Sequence, residues 1–243
     1  MYLTPAAVVL LHDLPRYESL YTDIIERAKV ANEGKTGLLT LGIVEGQCMP
    51  DNILKRFFQF RKEYPQIDIE VVCYSFGELQ RVLEEDEVDM IYAPDFVVQR
   101  NPAYIYECVG ENHAMAVVSK YHPLAKQKIT HLAQLKDETF LFLRDKECSM
   151  LNELMRQDCE RAGFIPNVKY VPSLNENIMY AELGFGVAFS NKDNVASFNP
   201  NLVQLKHLKI AERKIVFGWK KQNVNPSIAL FANFMVSENQ TEL

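Results

Sequence analysis

The sequence predicts an α/β fold in which two Rossmann-like lobes are joined by two crossover strands and preceded by a long helix. Three observations carry that prediction. At 243 residues, and roughly 150 residues per domain, the chain is one large domain or two lobes. A strand, helix, strand, helix, strand order occurs twice along it, which right-handed crossovers wind into parallel sheet with helices on its faces. The first 36 residues follow neither half and read as helix alone. With 48% hydrophobic and 24% charged residues, the composition supports a sizeable core and excludes disorder, collagen and low complexity.

The opening helix starts from Thr4 as N-cap with Pro5 at the first helical position. Tyr17, Leu20, Ile24, Ala28 and Ala31 then recur every three or four residues with charges between them, a narrow apolar seam that needs a partner. Self-association along the seam is the expectation. Pro15 is expected to kink or restart the helix with Asp13 as a second cap, and Gly34 to end it. Residues 38–44 then read as a strand. Pro50 opens a helix with Ile53, Leu54, Phe57 and Phe58 on its apolar face, stopped at Tyr64-Pro65. Ile67, Ile69, Val71 and Cys73 alternate as a strand, a helix runs through Leu79, Val82 and Leu83, and residues 89–93 form the next strand.

In the second half, residues 139–143 read as a strand and 150–162 as a helix closed by Gly163. Residues 169–171 are a strand, 174–183 a helix stopped by Gly184, and 187–190 another strand. Two strands, 104–109 and 114–119, are expected to carry the chain from the first half into the second. A strand at 214–219 returns it, and a last helix at 227–236 packs on the first half. The division expected is a helix at 1–36, one lobe from 37–110 and 216–243, and a second from 111–215. Two crossings make a hinge about which the lobes move as rigid bodies.

Several function classes are excluded by the same reading. The longest apolar run is the six residues 6–11, far short of the ~20 that span a bilayer. No basic region precedes that run, so a signal peptide is not expected and the chain is expected in the cytoplasm. Five cysteines without C-x-x-C spacing argue against a zinc ribbon or disulfide scaffold, and no metal or cofactor is expected. A net charge of −6 lacks the basic excess of a nucleic-acid binder. Nucleotide, serine-hydrolase and zinc-protease motifs are absent, so no catalytic residue is assigned. His113, His122 and His131 are read as surface residues, and the basic series 206–221 as a solvated strand pair.

A binding site follows from the architecture. In open parallel sheets, ligands sit beyond the carboxyl ends of strands, where helix N-termini present free amides. Here those ends are 45–49, 74–76 and 94–95 in the first half, and 144–149, 172–175 and Asn191 in the second. Facing each other, they line a cleft suited to a small polar or anionic molecule. Cys148 sits in one of these turns, where a helix dipole favours thiolate; Cys159, eleven residues on, is too distant for a disulfide unless the helix unwinds.

The chain resembles the LysR-type transcriptional regulators. The resemblance runs nearly end to end, through residues 3–7 and the seam helix, 37–42, 54–65, 88–91, 122–125 and 184–188. It implies a two-lobed sensor of type II periplasmic-binding-protein-like fold, a small-molecule effector in the interlobe cleft, and a homodimer, or a tetramer of paired dimers, joined through the first helix. The family's DNA-reading helices are expected ahead of Leu3, so the chain reads as a regulatory fragment that meets DNA only through a domain outside it. Expected effector contacts are Gln47 and Cys48, Ser75 and Phe76, and Arg144, Cys148 and Asn175 from the opposite lobe, with Arg144 pairing an anion. A weaker similarity to the peroxide-sensing OxyR type makes a Cys148–Cys159 redox pair the alternative, although Glu147 stands where that type has a histidine and Phe76 where it has a threonine.

Overall fold

The computed structural model describes residues 4–144, 148–208, 210 and 212–237. Helix α1 (Pro5–Asn32) begins where Thr4 accepts a hydrogen bond from the Ala7 amide at 3.3 Å. It runs unbroken through Pro15, so Asp13 is interior rather than a cap. A mid-helix proline forfeits one backbone bond, and on a helix surrounded by solvent water can satisfy the carbonyl left behind. The seam is bare: Leu10, Leu14, Tyr17, Leu20, Tyr21 and Ile24 are 48–67% exposed. Gly34 ends the helix at φ +70° and seats it on the first lobe, its carbonyl accepting from Ser227 Oγ at 2.9 Å.

The first lobe contains β1 (Gly37–Val44), α2 (Asp51–Glu63), β2 (Ile67–Tyr74), α3 (Phe76–Glu84) and β3 (Met90–Pro94). Strand β1 pairs in parallel with β2 on one side and β3 on the other. Alternation along β1 sends Leu39, Leu41 and Ile43 to one face, where Phe60 packs edge-on to Phe231 at 5.0 Å. Leu79, Val82 and Leu83 of α3 cover the other face. The face of α2 differs from expectation. Ile53, Phe57 and Phe60 point inward, whereas Leu54 and Phe58, one step round the helix, are 42% and 67% exposed. Val71 and Cys73 are exposed because β2 is an edge strand.

The expected pair of outgoing strands is a single one, β4 (Tyr104–Ser119). The second lobe follows with β5 (Thr139–Leu143), α4 (Ser149–Arg161), β6 (Asn167–Val171), α5 (Leu174–Glu182), β7 (Val187–Asn191) and the short β8 (Leu202–Gln204). Strand β9 (Glu212–Lys220) and α6 (Pro226–Val236) return to the first lobe. The strand order is β2-β1-β3-β9-β4-β7-β5-β6, with β8 also on β4. This path is continuous only because β4 serves both sheets. Tyr104–His113 pairs with β9, and from Ala114 onward the same strand pairs with β7 and then β8. Each lobe keeps its own core, and β4 and β9 are the two paired strands that run between them. His122 is not a surface residue: its side chain is 13% exposed, Nδ1 accepts from the Leu124 amide at 3.3 Å, and Nε2 lies 3.4 Å from Glu138. Among the described residues no helix is long and apolar enough to cross a membrane.

Candidate ligand-binding cleft

The loops after β1 and β7 meet across the cleft. Gly46 turns the first loop at φ +73°, and its carbonyl accepts from the Val195 amide at 2.9 Å. The Cys48 amide donates to the Asp193 carbonyl at 2.6 Å. Gln47 completes the clasp, donating through Nε2 to the Asp193 carbonyl at 3.0 Å and accepting from Asn191 Nδ2 at 3.1 Å. Burial, and then the nearby Asp193 charge, push the Cys48 thiol above its ordinary range. The same two causes act on the buried Tyr92 phenol.

Behind the clasp lies a cavity of about 80 Å³ to which both lobes and the hinge contribute. Val44, Gln47, Phe76 and Phe96 line it from the first lobe. Leu141, Leu143, Met155 and Phe189 form much of its apolar wall in the second, with Ser190, Asn191, Asn177 and Asn194 as polar neighbours. Ala114 of β4 and Arg213 of β9 close it at the hinge. Arg213 is 13% exposed and donates through Nη2 to Asp158 Oδ2 at 2.8 Å, and Asp158 is itself 5% exposed. The other oxygen of Asp158 accepts from Arg161, whose side chain is 64% exposed. Ser190 Oγ is buried without a hydrogen-bond partner, an arrangement that ordinarily costs free energy.

Of the residues expected from the sequence, Gln47 and Phe76 line this cavity. Cys148 is buried and lines a neighbouring cavity of about 150 Å³, together with Gln80, Arg100 and Asn101, on the other side of Phe76, Phe96 and Leu151. Cys48, Ser75, Arg144 and Asn175 line neither. Ser75 is the N-cap of α3, closing a capping box with Glu78. Arg144 and Asn175 are exposed, so the cost of an unpaired buried charge does not apply to Arg144. Glu147 lies outside the described residues.

The cysteine geometry counts against the redox alternative. Cys148 precedes α4 and Cys159 sits near its end, with the helix intact between them. Eleven residues of helix separate their Cα atoms by roughly 16 Å, against a limit of about 7 Å for a disulfide. Burial, reinforced by Asp158, pushes the Cys159 thiol up to about 12, which disfavours thiolate.

Sequence reading missed Arg213, Asp158 and Ser190, although each left a signal. Arg213 has the parity of the buried Ile215 and Phe217 along β9, so it faces inward rather than into solvent as the basic series suggested. Asp158 continues the buried stripe of Asn152 and Met155 on α4. Ser190 has the parity of Ala188.

Residues 32–240 match the LysR substrate binding domain, and the chain belongs to that family. It is the effector-binding domain of a LysR-type transcriptional regulator, built on the type II periplasmic-binding-protein-like plan. Its relatives include the transcriptional regulator BudR of Raoultella terrigena, 23% identical over 90% of this chain and 76% of that protein. AlsR of Bacillus subtilis (strain 168) is 27% identical over 85% of this chain and 68% of its own length. The effector-binding domain of QuiR, solved in complex with shikimate, superposes with a TM-score of 0.69 at 18% identity, covering 83% of this chain and 96% of that one.

Proposed function

We propose that this chain senses a small polar or anionic molecule between its lobes and passes the resulting change in lobe angle through paired α1 helices to the DNA-binding domains of the regulator. One observation carries the reading: the cavity is shared by both lobes and closed at its back by the two hinge strands, so an occupant touches the parts that move. On this reading residues 1–36 are the linker and dimerisation helix, 37–110 with 216–243 one lobe, and 111–215 the other. The role is regulatory and not catalytic. The bare seam of α1 supports a homodimer, since a stripe of large apolar side chains on one helix is rarely left in water. Gln47 and Phe76 are the expected contacts that lie at the cavity itself.

Native mass spectrometry of the purified chain, with thermal melting in a deproteinised bacterial extract, tests the reading. A retained small molecule or an extract-dependent rise in Tm, lost when Ala114→Leu fills the cavity, is the expected result. A chain that carries nothing and gains nothing from the extract would remove the sensing role.

A further inference from the structure

The charges on the cavity wall cancel. Among the described residues that line it, only Asp158 and Arg213 are charged, and they pair at 2.8 Å. Arg161 reaches the other oxygen of Asp158 from outside, where it is 64% exposed, and does not line the cavity. An ion entering this space gives up its hydration and meets no unpaired counter-charge, which is costly. What the wall offers instead is carboxamide, from Gln47, Asn177, Asn191 and Asn194. Gln47 and Asn191 are spent on the clasp, bonding each other and the backbone around Asp193. The other two are each held at one end only. Asn177, 5% exposed, donates through Nδ2 to the Leu141 carbonyl at 2.9 Å, and no described residue donates to its Oδ1. Asn194, 9% exposed, accepts at Oδ1 from the Ala196 amide at 3.0 Å, and its Nδ2 meets no described acceptor. In each case the engaged end fixes which atom is left open. Neither open atom is sealed off: among the described residues, the unpartnered side-chain atoms without accessible surface are Asn152 Oδ1 and Ser190 Oγ. A buried amide end left open costs free energy until something bonds it.

Resting on the sensing role proposed above, we infer that the effector is an uncharged molecule carrying hydroxyl or amide groups on an apolar body, and that Asn177 is the residue that selects it. The Asn177 Oδ1 accepts a hydrogen bond from the effector and the Asn194 Nδ2 donates one, while the apolar remainder lies against Leu141, Leu143 and Phe189. Asn177 belongs to α5 of the second lobe, and Asn194 follows β7 in the loop that clasps the first. An occupant bonded to both therefore ties the body of the second lobe to the loop that holds the lobes together. A charged analogue loses on two counts, since it finds no counter-ion on the wall and, as an anion, brings no donor for Asn177.

The test divides the deproteinised bacterial extract by charge and melts the purified chain in each part. A cation exchanger in its acid form, which also holds zwitterions, is followed by a strong anion exchanger, leaving a third fraction held by neither. That uncharged fraction is expected to raise Tm in the parent and not in Ala114→Leu, by the same amount at ~50 and ~500 mM NaCl, because no ion pair is there to be screened. Asn177→Leu is expected to melt lower without ligand, since the Leu141 carbonyl loses its donor, and to need about 10-fold more of the uncharged fraction for half of its own rise. A cavity-dependent rise from either charged fraction overturns the inference and leaves the sensing site standing. An undiminished response of Asn177→Leu also overturns it. Should that variant not fold, the fraction profile of the parent still decides the ligand class. If no fraction raises Tm, or every rise persists in Ala114→Leu, the sensing reading falls as well.

Discussion

Replacing Asp158 by asparagine should be among the most damaging conservative changes in the second lobe. Its carboxylate is 5% exposed and holds Arg213, itself 13% exposed, at 2.8 Å. Removing one partner of a buried pair costs about 3–5 kcal/mol, because the remaining charge stays desolvated without its counterion. The Arg213 head borders the cavity and can recover some hydration there, which places the expected loss near the lower end, about 3 kcal/mol. For a chain of this size that is a fall in Tm of roughly 6–12 °C. Arg161 is 64% exposed, so Arg161→Ala should cost less than about 1 kcal/mol and serves as the control. Denaturant melts of Asp158→Asn, Arg213→Gln and the double variant close the cycle, and a coupling of at least about 1.5 kcal/mol is expected. Asp158→Asn within about 1 kcal/mol of the parent, or additivity within about 0.5 kcal/mol, would refute the claim that the pair is buried and coupled.

Gly34→Ala should destabilise by about 2–4 kcal/mol, since φ is +70° and an added Cβ would lie 2.5 Å from the Pro226 carbonyl carbon; thermal melting measures it. Ile24→Glu places a charge on the seam of α1 and should lower the dimer fraction in sedimentation without lowering Tm. The raised Cys159 thiol binds its proton more tightly folded than unfolded, so its stabilising contribution is complete below the unfolded value of about 8.5 and disappears as pH climbs toward about 12. Stability should therefore decline over that alkaline window. In alkylation mass spectrometry at pH 8, Cys73 and Cys108, both exposed, should react while Cys159 stays protected. Peroxide treatment followed by the same digest should show no Cys148–Cys159 disulfide.

Element order was legible because each strand and helix announces its own period and stop. Gly163 and Gly184, at φ +90° and +79°, end α4 and α5 where glycine is needed for a left-handed turn. Longer-range facts were not legible. Whether residues 104–119 make one strand or two depends on β9, which pairs with the first part of β4 across more than ninety residues of sequence. Nothing local reports such a partner. The inward face of α2 was misjudged for a related reason: Leu54 and Phe58 are as apolar as Phe57, and only the packing of α6 selects the stripe that is buried.

The site shows the same division between local and distant information. Strand ends and helix starts pointed to Gln47 and Phe76, which line the cavity, but a charged residue is normally assigned to solvent, and Arg213 defies that rule only because Asp158 arrives from α4 to neutralise it. The clasp likewise joins residues about 145 positions apart. It also sets an energy scale for signalling. Its four hydrogen bonds, at about 0.5–1.5 kcal/mol net each, resist separation of the loops by about 2–6 kcal/mol. An occupant can shift the lobes only by its difference in affinity between arrangements, typically 1–3 kcal/mol. A molecule that fits the cavity as it stands therefore reinforces the clasped arrangement rather than creating it. On the sensing role proposed above, the Gly34–Ser227 contact that binds α1 to the first lobe is where that reinforcement would reach the helix.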